Sequence, residues 1–287
     1  MSEKDKSNKL RYSKKSMDYK KDIEEMQKRF LENPRESIEN LLVIQKGFIR
    51  GLSELPYAQQ NPDMFTMFME FRKQYSDIVG KMLEEGLISS GSFKDDKRDI
   101  AFFQVVAEMK KNVSNYDEKK VPLDENMHLL KKSYASLSEI LWAKLKRIIF
   151  FAGLNPEERH LNLKSIKTNL TKLEKKYLVD LLLVKNTLDG ELRNYIHHEK
   201  TYFEHPNFLV FMKEVGGRWE ESYRINDKNL INELLKIFTI LSAFHYIECL
   251  VLITHLERLV KLNDEELDEY CKTGKLTEGM RKKYEKI

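Results

Sequence analysis

The sequence predicts an all-α protein, a helical bundle. Three observations carry that prediction. Glycine and proline, the residues that break helices, number only 11 and 6 among 287. Almost every long stretch repeats its apolar residues at helical spacing, and no run alternates apolar and polar residues with the period of two that marks a half-buried strand. Charged residues make up 33 % of the chain but nearly cancel, leaving a net charge of +4. This is the mixed-sign surface of a soluble protein; it excludes a strongly basic nucleic-acid binder and confines any RNA contact to a local patch.

Two cysteines, Cys249 and Cys271, supply neither a disulfide framework nor a Cys-based zinc signature, and so point to a reducing cytoplasm. Met1 to Lys6 has no apolar segment behind it and is not a signal peptide.

Residues 1–15 are charged and poor in apolar side chains, a loose arm before an N-terminal helical region of residues 16–118. Tyr19, Ile23, Met26 and Phe30 form one apolar stripe of a first helix. Asn33-Pro34-Arg35-Glu36 then offers an N-cap, a proline suited to the first helical position and a glutamate that reaches back from the third. The same opening recurs at Asn61-Pro62-Asp63 and at Asn155-Pro156-Glu157-Glu158. The helix expected over 35–54 buries Ile38, Leu41, Leu42 and Ile49. The next, over 62–85, carries Met64, Phe65, Met67, Phe68 and Phe71, read as core in preference to an adaptable partner groove. After a Ser-rich break at Gly91, a helix over 95–113 turns Phe102, Val105, Val106 and Met109 inward. Residues 114–122 are the best internal linker.

The second region, residues 119–264, opens with a helix over 123–152 whose stripe is Leu137, Leu141, Leu145, Ile148 and Ile149, with Trp142 and Phe151 adding aromatic bulk. A helix over 165–188 follows, nearly continuously apolar from Tyr177 to Val184 except for Asp180, a carboxylate turned to the rim or one that pairs with a buried base or helps hold a site. Residues 199–227 read as a long loop with a short helix over 206–215, forming a lid, a base-stacking platform or packing for the bundle end. Between Ile237 and Leu256 only Glu248 is formally charged, long enough to cross a bilayer. His245, Glu248 and His255 make that costly, so a central bundle helix without membrane is the reading preferred. His245 and Glu248, one turn apart, read as a hydrogen-bonded core pair and not as metal ligands. Residues 265–287 form a charged tail, solvated or frayed at its end.

One short stretch has a different character. Arg193-Asn194-Tyr195-Ile196-His197-His198 gathers a guanidinium, an amide and two imidazoles, groups able to hold a phosphate and move protons near neutral pH. In a continuous helix Arg193 and His197 share a face, while His198 is rotated by roughly 140°; if the helix frays or ends there, His198 can swing back towards the arginine, and both geometries remain open. Arginine and histidine near a helix C-terminus also serve simply to complement the dipole and the free carbonyls.

Arg193, Asn194 and His198 resemble the Arg-x4-6-His signature of the HEPN superfamily, helical bundles that include many metal-independent ribonucleases of toxin, abortive-infection and defence systems. The resemblance covers the motif and, loosely, the flanking helices over 122–262. It places an HEPN-like core in the C-terminal half, with additional N-terminal helices. Several toxin members carry a tyrosine two residues after the histidine, where this chain has Lys200, with Tyr202 further on. The resemblance implies Arg193, His198, Asn194 and His197 as the catalytic set, no metal and no cofactor. It also implies a homodimer in which two motifs face each other, and an antitoxin or other regulatory protein as a further partner. RNA is the substrate expected, and DNA is expected to resist. The 2′-hydroxyl is then the nucleophile and a 2′,3′-cyclic phosphate the product. Lys200 and Tyr202, with the basic strip of Lys164, Lys167, Lys172, Lys175 and Lys176, are the candidate substrate contacts. The alternative is a helical scaffold that binds a nucleotide or a partner protein and cleaves nothing.

Overall fold

The structure, a computed structural model, describes residues 33–43, 63–93, 98, 101–102, 104–106, 123–156, 161–188, 190–198, 200–203, 208–273 and 275–284. The stripe expected at Tyr19 to Phe30, the linker at 114–122 and the helix openings at Asn61-Pro62 and Pro156-Glu157 fall wholly or partly outside the described residues. Described residues 34–43 form helix α1, opened as the sequence foretells. The Glu36 amide donates to Asn33 Oδ1 at 3.4 Å, and Asn33 Nδ2 donates to Glu36 Oε2 at 2.9 Å. Helix α2 spans Asp63–Glu84 and α3 Leu123–Phe151, followed by α4 at Leu163–Tyr177, α5 at Leu182–Thr187 and α6 at Gly190–His198. Three strands come next, and then α7 at Asp227–Leu259, α8 at Asp264–Thr273 and α9 at Glu278–Tyr284.

The chain packs as two units that interleave along the sequence. Of the described residues, the larger takes those within 49–89 and 96–248, and the smaller those within 1–48, 90–95 and 249–287.

In the larger unit α2 buries Phe68, Phe71, Tyr75, Ile78, Val79 and Met82, a clean i, i+3, i+4 face, while Phe65 of the expected stripe is exposed. The α3 stripe of Leu137, Leu141, Leu145, Ile148 and Ile149 is buried throughout. Each such side chain contributes about 1.5–3 kcal/mol relative to exposure. Phe71, Tyr75 and Phe244 pack ring on ring at 4.5–6.0 Å. Beside them lies a buried polar triad. The Lys144 ammonium pairs with Glu248 Oε2, and the Tyr75 hydroxyl donates to Glu248 Oε1 at 2.9 Å. Two partners of Glu248, Tyr75 and Lys144, thus come from α2 and α3, far away in sequence; its neighbour His245 is buried beside Phe102.

The helix expected over 165–188 is broken. Asn162 caps α4 by accepting from the Ser165 amide at 2.9 Å, and α4 ends at Leu178, which takes a left-handed conformation at φ 54° and ψ 47°. Asp180, exposed, accepts from the Leu182 amide at 2.8 Å and so starts α5. That is a rim carboxylate with a local capping role.

The fold is mostly helical, but not all-α. Lys200–Phe203, Phe208–Val215 and Arg218–Asn226 form strands β1, β2 and β3 of an antiparallel sheet in that order. This replaces the loop and short helix expected over 199–227. Val215 pairs with Arg218 across Gly216 and Gly217, whose φ values of 58° and 81° give the two-residue hairpin turn that matches strand twist. A bulge follows where Phe211 opposes Tyr223 and Met212 opposes Glu221, leaving Ser222 as the extra residue. No period of two shows in the sequence for a structural reason: Leu209, Val210 and Phe211 are all buried in succession, whereas the distal half of the hairpin is exposed on both faces.

In the smaller unit the end of α7 packs with Leu41, Tyr270, Met280 and Tyr284. Within the charged tail expected over 265–287, whose end from Glu278 is expected to be solvated or frayed, α8 and α9 instead close a core through Tyr270, Met280 and Tyr284. The His255 ring bridges two phenols, at 2.6 Å from Nδ1 to the Tyr284 hydroxyl and 3.4 Å from Nε2 to the Tyr270 hydroxyl. Ser90 meets the Tyr284 hydroxyl at 2.7 Å. A Cβ at Gly91 would stand 3.1 Å from His255 Cε1, so glycine lets that loop lie against the ring. Helix α7 is long and apolar enough by composition to cross a membrane, and 67 % of its most apolar window is buried inside the protein.

Candidate functional site

Helix α6 is nine residues long, and successive side chains, about 100° apart, serve four different neighbours. Leu192 and Ile196, one turn apart, face the core. Asn194 is exposed. Tyr195 stacks on Tyr223 with ring centroids 4.9 Å apart and 15° between planes, touches Phe211 at 5.6 Å, and donates to the carbonyl of the bulged Ser222 at 3.4 Å. Ser222 in turn donates through its hydroxyl to the Phe211 carbonyl at 2.9 Å. The hairpin base thus fixes one side of α6.

Arg193 is fixed on the other side, by α3. Its guanidinium lies over the Trp142 ring, 3.9 Å from the centroid. Its Nε donates to Glu139 Oε1 at 2.9 Å, and its Nη2 donates to the same oxygen. Glu139 and Trp142 are three residues apart and share a face of α3, which is how one helix supplies both the ring and the acceptor. Arg193 is 19 % exposed and Glu139 49 % exposed, so the pair sits at the surface with the cation inward.

Of the residues named from sequence, Arg193 and Asn194 stand on consecutive positions of α6, one half-buried and one exposed. The backbone of His197 and His198 completes the last turn of that helix, so position 197 shares Arg193's face, as a continuous helix requires. Their side chains lie outside the described residues. Lys200 and Tyr202 are in β1, paired in register with Met212 and Val210; their side chains also lie outside the described residues. Lys164 and Lys167 occupy the first turns of α4, Lys164 exposed and Lys167 half-buried. α4 and α6 both pack against α3. Within the basic strip, Lys176 is held by Glu85 at 2.9 Å, a bond that also raises its ammonium above the usual range.

Three residues of the site come from α3: Glu139, Trp142 and Lys131. Sequence reading named Trp142 only as bulk. Lys131 lies two turns before Glu139, with its ammonium 5.9 Å from the centre of the Phe211 ring, and burial lowers it below the usual lysine range. The signal available was the helical spacing of Lys131, Glu139 and Trp142. Only the tertiary fold brings that face to α6. Among the described residues, no three His, Cys, Asp or Glu side chains gather as a metal site. No family model, curated protein or solved structure matches the chain.

Proposed function

We propose that the chain is a metal-independent endoribonuclease of the HEPN type, with the last two turns of α6 at the centre of its site. The seating of Arg193 carries this reading. A guanidinium held over the Trp142 ring, with Nε and Nη2 both aimed at one anionic oxygen near the surface, is a preorganised seat for an oxyanion. A phosphodiester offers two such oxygens to the same fork, and the positive charge is most effective as phosphorus becomes five-coordinate.

The reaction then follows from the residue types. An imidazole at position 197 or 198 takes the 2′-hydroxyl proton, and the 2′-oxygen bonds to phosphorus. The P–O bond to the 5′-oxygen breaks and a second proton donor caps the leaving oxygen, which yields a 2′,3′-cyclic phosphate and a free 5′-hydroxyl. In this reading the two protonation roles fall to histidines of two chains in a homodimer, and exposed Asn194 positions the phosphate.

A second reading has its own support: the same Glu139 and Trp142 contacts join α3 to α6, as they would in a non-catalytic scaffold. Incubation of 5′-labelled RNA with the purified protein in EDTA separates the two. The nuclease gives cyclic-phosphate ends, loses scission in both Arg193→Ala and His198→Ala, and spares a strand with deoxyribose at the cleaved position. RNA left intact at high protein concentration, or scission that survives both substitutions, sinks the nuclease reading.

A further inference from the structure

We infer that Glu139 is a built-in competitor for the phosphate, a carboxylate that occupies the acceptor position on Arg193 and leaves it when RNA binds. This rests on the reading of α6 as an RNA-phosphate site and adds its regulation. The geometry gives the two partners unequal exposure. Arg193 is mostly covered and is held against the Trp142 face, so its N–H fork cannot easily turn away. Glu139 is 49 % exposed, so water reaches its carboxylate and solvates the charge when a phosphate takes its place on the guanidinium. It supplies a single oxygen, Oε1, to both N–H groups, whereas a phosphate brings one oxygen to each. A half-exposed ion pair of this kind is weakly held, so an incoming polyanion displaces it readily. The carboxylate also has a selective effect. A ligand with a lone weak anionic group gains little over Glu139, whereas a strand whose flanking phosphates meet other cations of the site exchanges it with profit in affinity.

The test uses the full-length protein and a 2′-O-methyl uridine 12-mer, which binds without being cleaved, with affinity read by fluorescence anisotropy. Glu139→Gln, close in shape and uncharged, is expected to tighten binding about two- to fivefold, the range set by removal of one exposed pair. Glu139→Ala is expected to follow it. The gain should vanish when either is combined with Arg193→Ala, or with Arg193→Gln should the alanine variant not fold, because glutamine keeps a side chain of some reach and has no charge for Glu139 to hold. If Arg193 variants weaken binding while Glu139→Gln leaves it unchanged or weakens it, the competitor is refuted and the RNA site stands. If Arg193 variants bind as well as the wild type, the RNA site itself fails, and the competitor with it.

Discussion

Tyr195 of α6 and Tyr223 of β3 stack nearly parallel, 4.9 Å between centroids, and this contact ties the helix that carries Arg193 to the base of the hairpin. An offset aromatic pair contributes about 0.5–1.5 kcal/mol beyond its buried area. A double-mutant cycle of Tyr195→Ala and Tyr223→Ala in urea should therefore show a coupling energy of about 1 kcal/mol. Additive losses would mean that the rings merely neighbour each other and that the hairpin does not brace α6.

The buried Lys144–Glu248 pair makes a sharper demand. Both groups are almost wholly shielded from water, so removing one leaves the other a buried charge without this counter-ion. Lys144→Met or Glu248→Leu alone should cost about 3–5 kcal/mol, whereas the two together should recover most of that loss. Denaturant unfolding of the four proteins gives the answer. A double variant as unstable as the sum of the singles contradicts the account.

Leu178 is 86 % exposed and holds a left-handed backbone where glycine or asparagine usually ends a helix. Its side chain buries almost nothing, and its conformation costs roughly 1–2 kcal/mol against a residue free to adopt it. Leu178→Asn should raise stability by about 0.5–1 kcal/mol, measurable as a higher melting temperature. A lower one would show that the leucine makes a contact worth more than the strain.

What the sequence made legible was whatever is decided within a few residues. The Leu137 to Ile149 stripe repeats at helical spacing and is buried as read, and Asn33 accepts from the Glu36 amide while its side-chain amide donates to the Glu36 carboxylate. The break at Leu178 was invisible because leucine favours helices, and only the tertiary fold forces it left-handed. The hairpin carried one local mark, Gly216-Gly217, but its strands lack the alternation that would have confirmed it. The candidate site divides the same way. Arg193 and Asn194 were conspicuous as a cluster, whereas Glu139, 54 positions away, has no local sign that it will meet Arg193.

The pH dependence of the smaller unit turns on Tyr284. Burial, the largest influence, pushes its phenol above the usual range, against the opposing pull of the Ser90 hydrogen bond and the Arg258 charge. In the unfolded chain the phenol ionises near its ordinary value of about 10. Between that pH and the higher folded value the native state holds a proton that the unfolded state has lost. The stability due to Tyr284 is therefore complete below about pH 10 and drains away as pH rises through the folded value. Tyr284→Phe removes this titration together with the bonds to Ser90 and His255, so at pH 8 it should be less stable than the wild type by about 1–3 kcal/mol. That gap should narrow above pH 10. Tyr177, whose phenol is also raised by burial, is present in both proteins and cancels in the difference. Urea unfolding of the pair at pH 8, 9, 10 and 11 reads the trend directly, and a gap that stays constant or widens with pH would place the Tyr284 phenol outside the protected cluster described.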